Sequence, residues 1–275
     1  MTRIAICAPA TPITRDVAER VTALAEARFP DLQLAFHDQC FAVDGHFAGP
    51  DAVRLAALLD CANDPACDAV WFAKGGYGSN RIAEDALAGM GLAAREKAFL
   101  GYSDCGFILA GLYRHGIGRP AHGPMPLDVR RDGGEAAVGR ALAWLSGERI
   151  GLEPGLDQRP AAAFNLMTLA ALIGTPLMPD LSGHVVIVEE VSEHLYAIDR
   201  LFFHIAGQLG DVAGLRLGTV SAVPDNDRPF GSEAEDIARF WCARAGIPYL
   251  GRAQIGHDAA NMIVPFGLAA MPPRA

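Results

Sequence analysis

The feature that most constrains this chain is an alternation repeated four times before Gly116. Each time, a short apolar run is followed by a longer stretch with apolar residues at helical spacing. "RIAICAP" is short, β-branched and closed by Pro9, and "TRDVAERVTALAEARF" follows it. "LQLAFHD" precedes "GPDAVRLAALLDCAND", with Asp51 in the first turn where a negative charge suits the helix dipole. "CDAVWFAKGGYGSN" runs into "RIAEDALAGM", and "AFLGYSD" into "CGFILAGLYRHG". Strands alternating with helices predict an α/β fold with a parallel sheet covered on its faces. Ligands of such sheets lie at the carboxyl ends of the strands. Two of those ends carry unusual chemistry, "KGGYGSN" from Lys74 and "GYSD" from Gly101.

From about Gly118 the signal changes. "GRPAHGPMPLDVRRDGGE" is rich in glycine, proline and charge and reads as a connection, followed by one helix, "AAVGRALAWLSGE". A second body begins near Ala161. It holds helices in "FNLMTLAALIG", "YAIDRLFFHIAGQLG" and "SEAEDIARFWCARAG", and strands in "HVVIVEE", "LRLGTVSAV" and "NMIVPFG". The expected division is an N-terminal domain over 1–125, a linker region over 126–160 and a C-terminal domain over 161–275.

The net charge of −9 argues against a nucleic-acid surface, which needs a basic patch. Six cysteines, with no C-x-x-C pair, fit free thiols in a reducing compartment better than a zinc site or a disulfide framework. The N-terminus lacks the apolar run of a signal peptide, and "AAAFNLMTLAALIGTPLM" is broken by Asn165, Gly174 and Pro176, a poor membrane span. A cytoplasmic protein without membrane contact is expected.

Ser103 lies between a strand and a helix, where a tight turn can lift a nucleophilic hydroxyl clear of the sheet. The second glycine of G-x-S-x-G falls one place late, at Gly106, so the α/β-hydrolase motif is not met and the residues alone favour an ordinary helix-capping serine. "GGYGSN" lacks the endings of a P-loop or a dinucleotide fingerprint. It suits close backbone approach to a ligand, or simply a turn. Glu189 and Glu190 end one strand, and His257 sits in a loop. Each has an everyday surface reading, and the order Ser…Glu…His also arises by chance.

Seven segments together resemble the LD-carboxypeptidase family of serine peptidases, which includes the microcin C immunity hydrolases. They are "IAICAPA", "KGGYGSNRI", "LGYSD", "HGPM", "NLMTLAALIGTPLMPDL", "VEEVSEHLYAIDR" and "IGHDAANMIVPFG", in the family's order. The resemblance implies a Rossmann-like N-terminal domain and a smaller, β-rich α/β C-terminal domain with the site between them, commonly in a homodimer. It implies Ser103 as nucleophile, Glu189 as acid, His257 as base, and the amides of Asp104 and Gly76 as oxyanion donors, with no cofactor and no metal. Lys74, Gly75, Tyr77, Arg81, Asn165 and Arg200 are the expected substrate contacts. Two positions depart from the family pattern: Lys74 stands where arginine is usual, and "AAAFN" where a glycine-rich loop is usual. The implied activity is release of C-terminal D-alanine from murein tetrapeptides. The alternatives are hydrolysis of a microcin-type acyl-adenylate amide, or peptide binding without catalysis.

Overall fold

The last four side chains of β1 (Thr2–Cys7) are all buried, and they alternate between two cores. The computed structural model describes residues 1–269. β1 pairs in parallel with β2 (Leu32–Phe36) and β3 (Ala69–Phe72). β3 continues to β4 (Ala98–Gly101), and β4 to β5 (Arg119–His122). One face of this sheet, through Ile4, Ile6, Trp71 and Leu100, packs on α1 (Arg15–Arg28) and α6 (Gly134–Leu145). The other, through Cys7, Val70, Phe72 and Phe99, packs on α2 (Asp51–Asn63), α3 (Ala83–Gly89), α4 (Leu92–Glu96) and α5 (Gly106–Arg114). Burial on both faces is why these strands read as apolar runs instead of alternating patterns.

The second sheet has four parallel strands in the order β6 (Ala161–Asn165), β7 (Val185–Val191), β8 (Gly214–Ser221) and β9 (Tyr249–Arg252). Val186, Val188, Leu215 and Leu217 meet α7 (Leu166–Leu172), α8 (Leu195–Ala206) and α9 (Ala234–Ala245). The opposite face, through Ala163, Val185 and Ile187, meets Ile255 and Val264. The core on the helix side is continuous from α2 and α5 through to α8 and α9, so it joins the two sheets.

Three expectations need correction. The connection expected from Gly118 contains β5, hidden by Gly118 and Pro120, and a 3-10 turn over Pro126–Arg130. Within 126–160 the helix expected from "AAVGRALAWLSGE" is α6, which buries Val138, Leu142 and Trp144 against the first sheet. "AAAFN" is strand β6, whose alanines carry little β signal, and "YLGR" forms a further strand, β9, absent from the sequence reading. Finally, β10 (Val264–Pro265), expected to end the second body, pairs antiparallel with β5 of the first sheet, so the chain returns across the boundary.

Candidate active site

β4 ends at Gly101, and the chain turns so sharply that Ser103 has φ +59°. A non-glycine residue in this left-handed region is strained. Ser103 does not cap α5: that position is Cys105, and no side-chain cap bond is made there. The Ser103 hydroxyl faces His257 instead, with Oγ 3.0 Å from Nε2, and His257 Nδ1 is 2.7 Å from Glu189 Oε2. With Nδ1 protonated, the ring donates to Glu189 and accepts from Ser103, so the three groups form one chain. The Glu189 side chain is fully buried and that of His257 is 11% exposed.

The glycine-rich turn comes up against the serine. A Cβ on Gly75 would lie 2.9 Å from Ser103 Cβ and 3.1 Å from its Oγ, closer than packed atoms tolerate. Thr11 Oγ1 donates to Gly75 O (2.5 Å), and buried Arg54 donates to the carbonyls of Pro9 and Gly78. Asp104 ties the two turns together. Its carboxylate accepts from Ser79 N–H (2.8 Å), and its carbonyl accepts from Ser79 Oγ–H (2.6 Å). Burial pushes the Asp104 carboxyl above its ordinary pKa, against these stabilising hydrogen bonds.

Glu189 reaches His257 because the β7–β8 pairing slips. Val188 pairs with Leu217 but Glu190 with Val220, so Gly218 and Thr219 together oppose Glu189. A Cβ on Gly218 would sit 2.5 Å from Ile255 O and 3.0 Å from Glu189 Cβ, so a side chain there would push the histidine loop away. Thr219 N–H donates to Ile255 O at 2.7 Å, which seats that loop beside the acid.

Glu190 corrects an expectation. Successive strand residues face opposite sides, and the outward-looking face suggested by sequence meets solvent or a surface partner. Here it meets the helices, and Glu190 is 2% exposed. Its carboxylate accepts from Asn165 Nδ2–H (2.7 Å) and from the N–H groups of Met167 (2.9 Å) and Val191 (2.8 Å). Burial raises its pKa from the ordinary value. Asn165 Oδ1 accepts from Thr168 N–H as the cap of α7 (3.1 Å), so both ends of this expected substrate contact are engaged within the protein.

The other expected contacts separate. Lys74 lies half-buried beside Gly75, its pKa lowered by burial and by Arg130. Tyr77 is half exposed, with its ring 6.2 Å from those of His46 and Phe47. Arg81 pairs with Asp51 at 2.8 Å over the Phe47 ring. Arg200 is exposed on α8, with its guanidinium over Tyr196. Gly76 is exposed, on the turn facing Ser103.

Sequence reasoning missed the support beneath the histidine. The Tyr102 ring lies 4.8 Å from that of His257 and 5.4 Å from that of His122, and its hydroxyl donates to Asp128 (2.8 Å). His122 Nε2 donates to Asn261 Oδ1 (3.1 Å), which also accepts from Gly256 N–H (3.2 Å). "HGPM" and "GHDAAN" contain these residues, but only the fold brings them together.

His122 makes a pH prediction. Burial, with the nearby His257 adding to it, lowers its pKa to about 3 from 6.5, despite the Asn261 bond. Below 6.5 the unfolded chain therefore takes up a proton that the folded chain refuses, and stability falls with pH until about 3. His122→Gln is expected to remove up to about 1.4 kcal/mol per pH unit from the acid-side slope of unfolding free energy. Urea unfolding at several pH values checks this, and an unchanged slope would reject it.

Comparisons with known proteins follow the same division. Residues 4–123 match the model of an LD-carboxypeptidase N-terminal domain, and residues 162–271 that of an LD-carboxypeptidase C-terminal domain. The chain is 31% identical over 234 residues to a putative carboxypeptidase of Synechocystis, covering 81% of this chain and 75% of the relative. It is 29% identical to a murein tetrapeptide carboxypeptidase of Pseudomonas aeruginosa, covering 98% and 92%. Among solved structures it superimposes on a muramoyltetrapeptide carboxypeptidase from Oxalobacter formigenes with TM-score 0.80 and 24% identity, covering 97% and 93%. A microcin C7 self-immunity protein superimposes with TM-score 0.79 and 16% identity, covering 97% and 91%. These two structural likenesses concern the fold.

Proposed function

The chain belongs to the LD-carboxypeptidase family, and from that premise we propose that it is a serine carboxypeptidase that releases the C-terminal D-alanine of murein tetrapeptides. The observation that carries the proposal is the chain Ser103 Oγ–His257 Nε2–Glu189 Oε2, at 3.0 and 2.7 Å. Ser103 attacks the carbonyl carbon of the residue before D-alanine while His257 Nε2 takes its proton. Glu189 keeps the ring in the Nδ1–H tautomer and stabilises the imidazolium. The amides of Asp104 and Gly76 hold the oxyanion across the gap between the two turns. The C–N bond then breaks and His257 hands its proton to the leaving amine. Water, deprotonated by the same histidine, cleaves the acyl ester and restores Ser103.

Gly75, against the nucleophile, is the substrate contact that the geometry supports best, with Lys74 beside it and Tyr77 and Arg81 further along the same turn. Asn165 acts from beneath, as a cap. Residues 1–125 form the unit that presents Ser103, and 161–275 the unit that presents Glu189 and His257. The six cysteines are unpaired and buried, which suits a cytoplasmic enzyme. Among the described residues no helix is long and apolar enough to cross a membrane. The exposed rings of Phe203 and Phe240 on α8 and α9 suit cover by a second copy in a homodimer.

Incubation of the purified chain with a murein tetrapeptide ending in D-alanine is expected to yield the tripeptide and free D-alanine by mass spectrometry. The all-L isomer should stay intact. A microcin-type aminoacyl-nucleotide amide cleaved in preference would move the assignment to the immunity branch of the family. No turnover of either substrate would leave only peptide binding. The mass of the same preparation in solution reads the dimer directly.

A further inference from the structure

The loop that carries His257 belongs to no regular element, yet its imidazole holds two hydrogen bonds at once. Loops are mobile unless tied down, and most ties on this one come from an unexpected place. Arg140 on α6 donates through Nη2 to Ala259 O and to Asn261 O (3.0 Å), and through Nε to Asn261 O (3.3 Å). Glu153 accepts from Gln254 N–H (3.2 Å) through Oε1, and its Oε2 pairs with Arg216 (2.5 Å). Glu153 N–H donates to Ile263 O (2.9 Å), and Ile263 N–H to Gly151 O (2.8 Å). Arg140, Gly151 and Glu153 all lie between the two regions matched by the family models, 4–123 and 162–271. The connecting segment therefore does more than join two halves.

Arg140 is the member with the plainest mechanical consequence. Its helix is packed on the sheet that presents Ser103, while its guanidinium grips the loop that presents His257. It fixes the second relative to the first from outside the triad. The loop is closed on itself by Asn261, whose side chain accepts from Gly256 N–H and whose own N–H donates to Asp258 O (3.2 Å). A pull on the carbonyls of Ala259 and Asn261 is therefore transmitted to the residue beside His257. The Arg140 stem rests on Gly151, where a Cβ would come within 2.9 Å of Arg140 Cβ, so the guanidinium has little freedom to follow a moving loop.

We propose that Arg140 is a positioning residue for His257, holding the base loop at the distance from Ser103 that proton transfer requires. The proposal rests on the reading of Ser103 and His257 as nucleophile and base. It concerns the rate of the chemical step and not peptide recognition, because Arg140 is engaged with backbone carbonyls of the loop.

The test uses Arg140→Ala and Arg140→Lys in the full chain. Steady-state kinetics on the tetrapeptide are measured together with the rate of Ser103 labelling by a fluorophosphonate, which reads serine activation without peptide recognition. Arg140→Ala is expected to lower kcat by about 10- to 100-fold, the effect of a displacement near 1 Å, with KM within about twofold and labelling slowed in proportion. Free guanidinium at a sub-denaturing concentration should raise kcat of Arg140→Ala and leave the parent unchanged. Arg140→Lys, which keeps a donor and most of the stem, should lie between the two. Parent-like kcat per labelled serine in Arg140→Ala overturns the proposal, as does a loss confined to the fraction folded. If Arg140→Ala fails to fold, Arg140→Lys decides, and parent-like kcat and labelling there overturn it. A parent enzyme that is not labelled at Ser103 overturns the serine-hydrolase reading itself, which is a different result.

Discussion

Ser103→Ala is expected to fold as the parent does and to lose turnover on murein tetrapeptide by a factor on the order of 10⁴ or more. The hydroxyl is the only part removed, and its hydrogen bond is to His257, so no cap or core contact goes with it. The backbone at φ +59° stays as strained with alanine as with serine. Ser103→Gly separates strain from chemistry. It is equally inactive, but more stable than Ser103→Ala by up to about 1 kcal/mol, because glycine takes this conformation without steric cost. Tetrapeptide turnover and thermal unfolding of the two variants read both effects. A tenth of the parent turnover surviving in Ser103→Ala would mean that another group attacks the carbonyl.

The adjacent carboxylates should fail in different ways when each is made an amide. Glu189→Gln is expected to lower kcat/KM by about 10⁴-fold. An amide against Nδ1 favours the wrong tautomer and cannot stabilise the imidazolium. Its effect on unfolding should be small, since size and shape are kept. Glu190→Gln should do the reverse. The carboxylate accepts from three N–H groups, and the new amide turns a donor towards one of them. Charge at the start of α7 is lost as well. A cost of about 2 kcal/mol or more in unfolding free energy is expected, with kcat per folded molecule within tenfold of the parent. Kinetics and urea unfolding on the same two preparations separate the outcomes. An inactive Glu190→Gln beside an active Glu189→Gln would reverse the assignment of acid and cap.

These two residues also show how far the sequence could be read. That the pair ends a strand, and that only one member can face His257, follows from the two-residue period of a strand. What the other member faces depends on which side of the second sheet the helices cover, and α7 is placed there by packing with α5 and α8. A buried glutamate that caps a helix and a surface glutamate are spelled alike. The same limit applies to β5 and β6. "RPAH" and "AAAFN" have weak local preference for a strand and become strands because a neighbouring strand supplies the hydrogen bonds.

By itself, the sequence determined the parallel α/β plan of the first 116 residues, because burial on both faces of a sheet writes itself as short apolar runs and helical periodicity. It also determined which serine, acid and histidine to consider, through motifs that resemble a family. Only the tertiary structure decided that these three meet, at 3.0 and 2.7 Å, since Ser103 and His257 are 154 residues apart and no local rule relates them. It decided as well that the helix expected in 126–160 packs on the first sheet as α6 and ties down the His257 loop. The reason is physical: such a tie is made of one guanidinium and two backbone carbonyls, and carbonyls have no letter in a sequence.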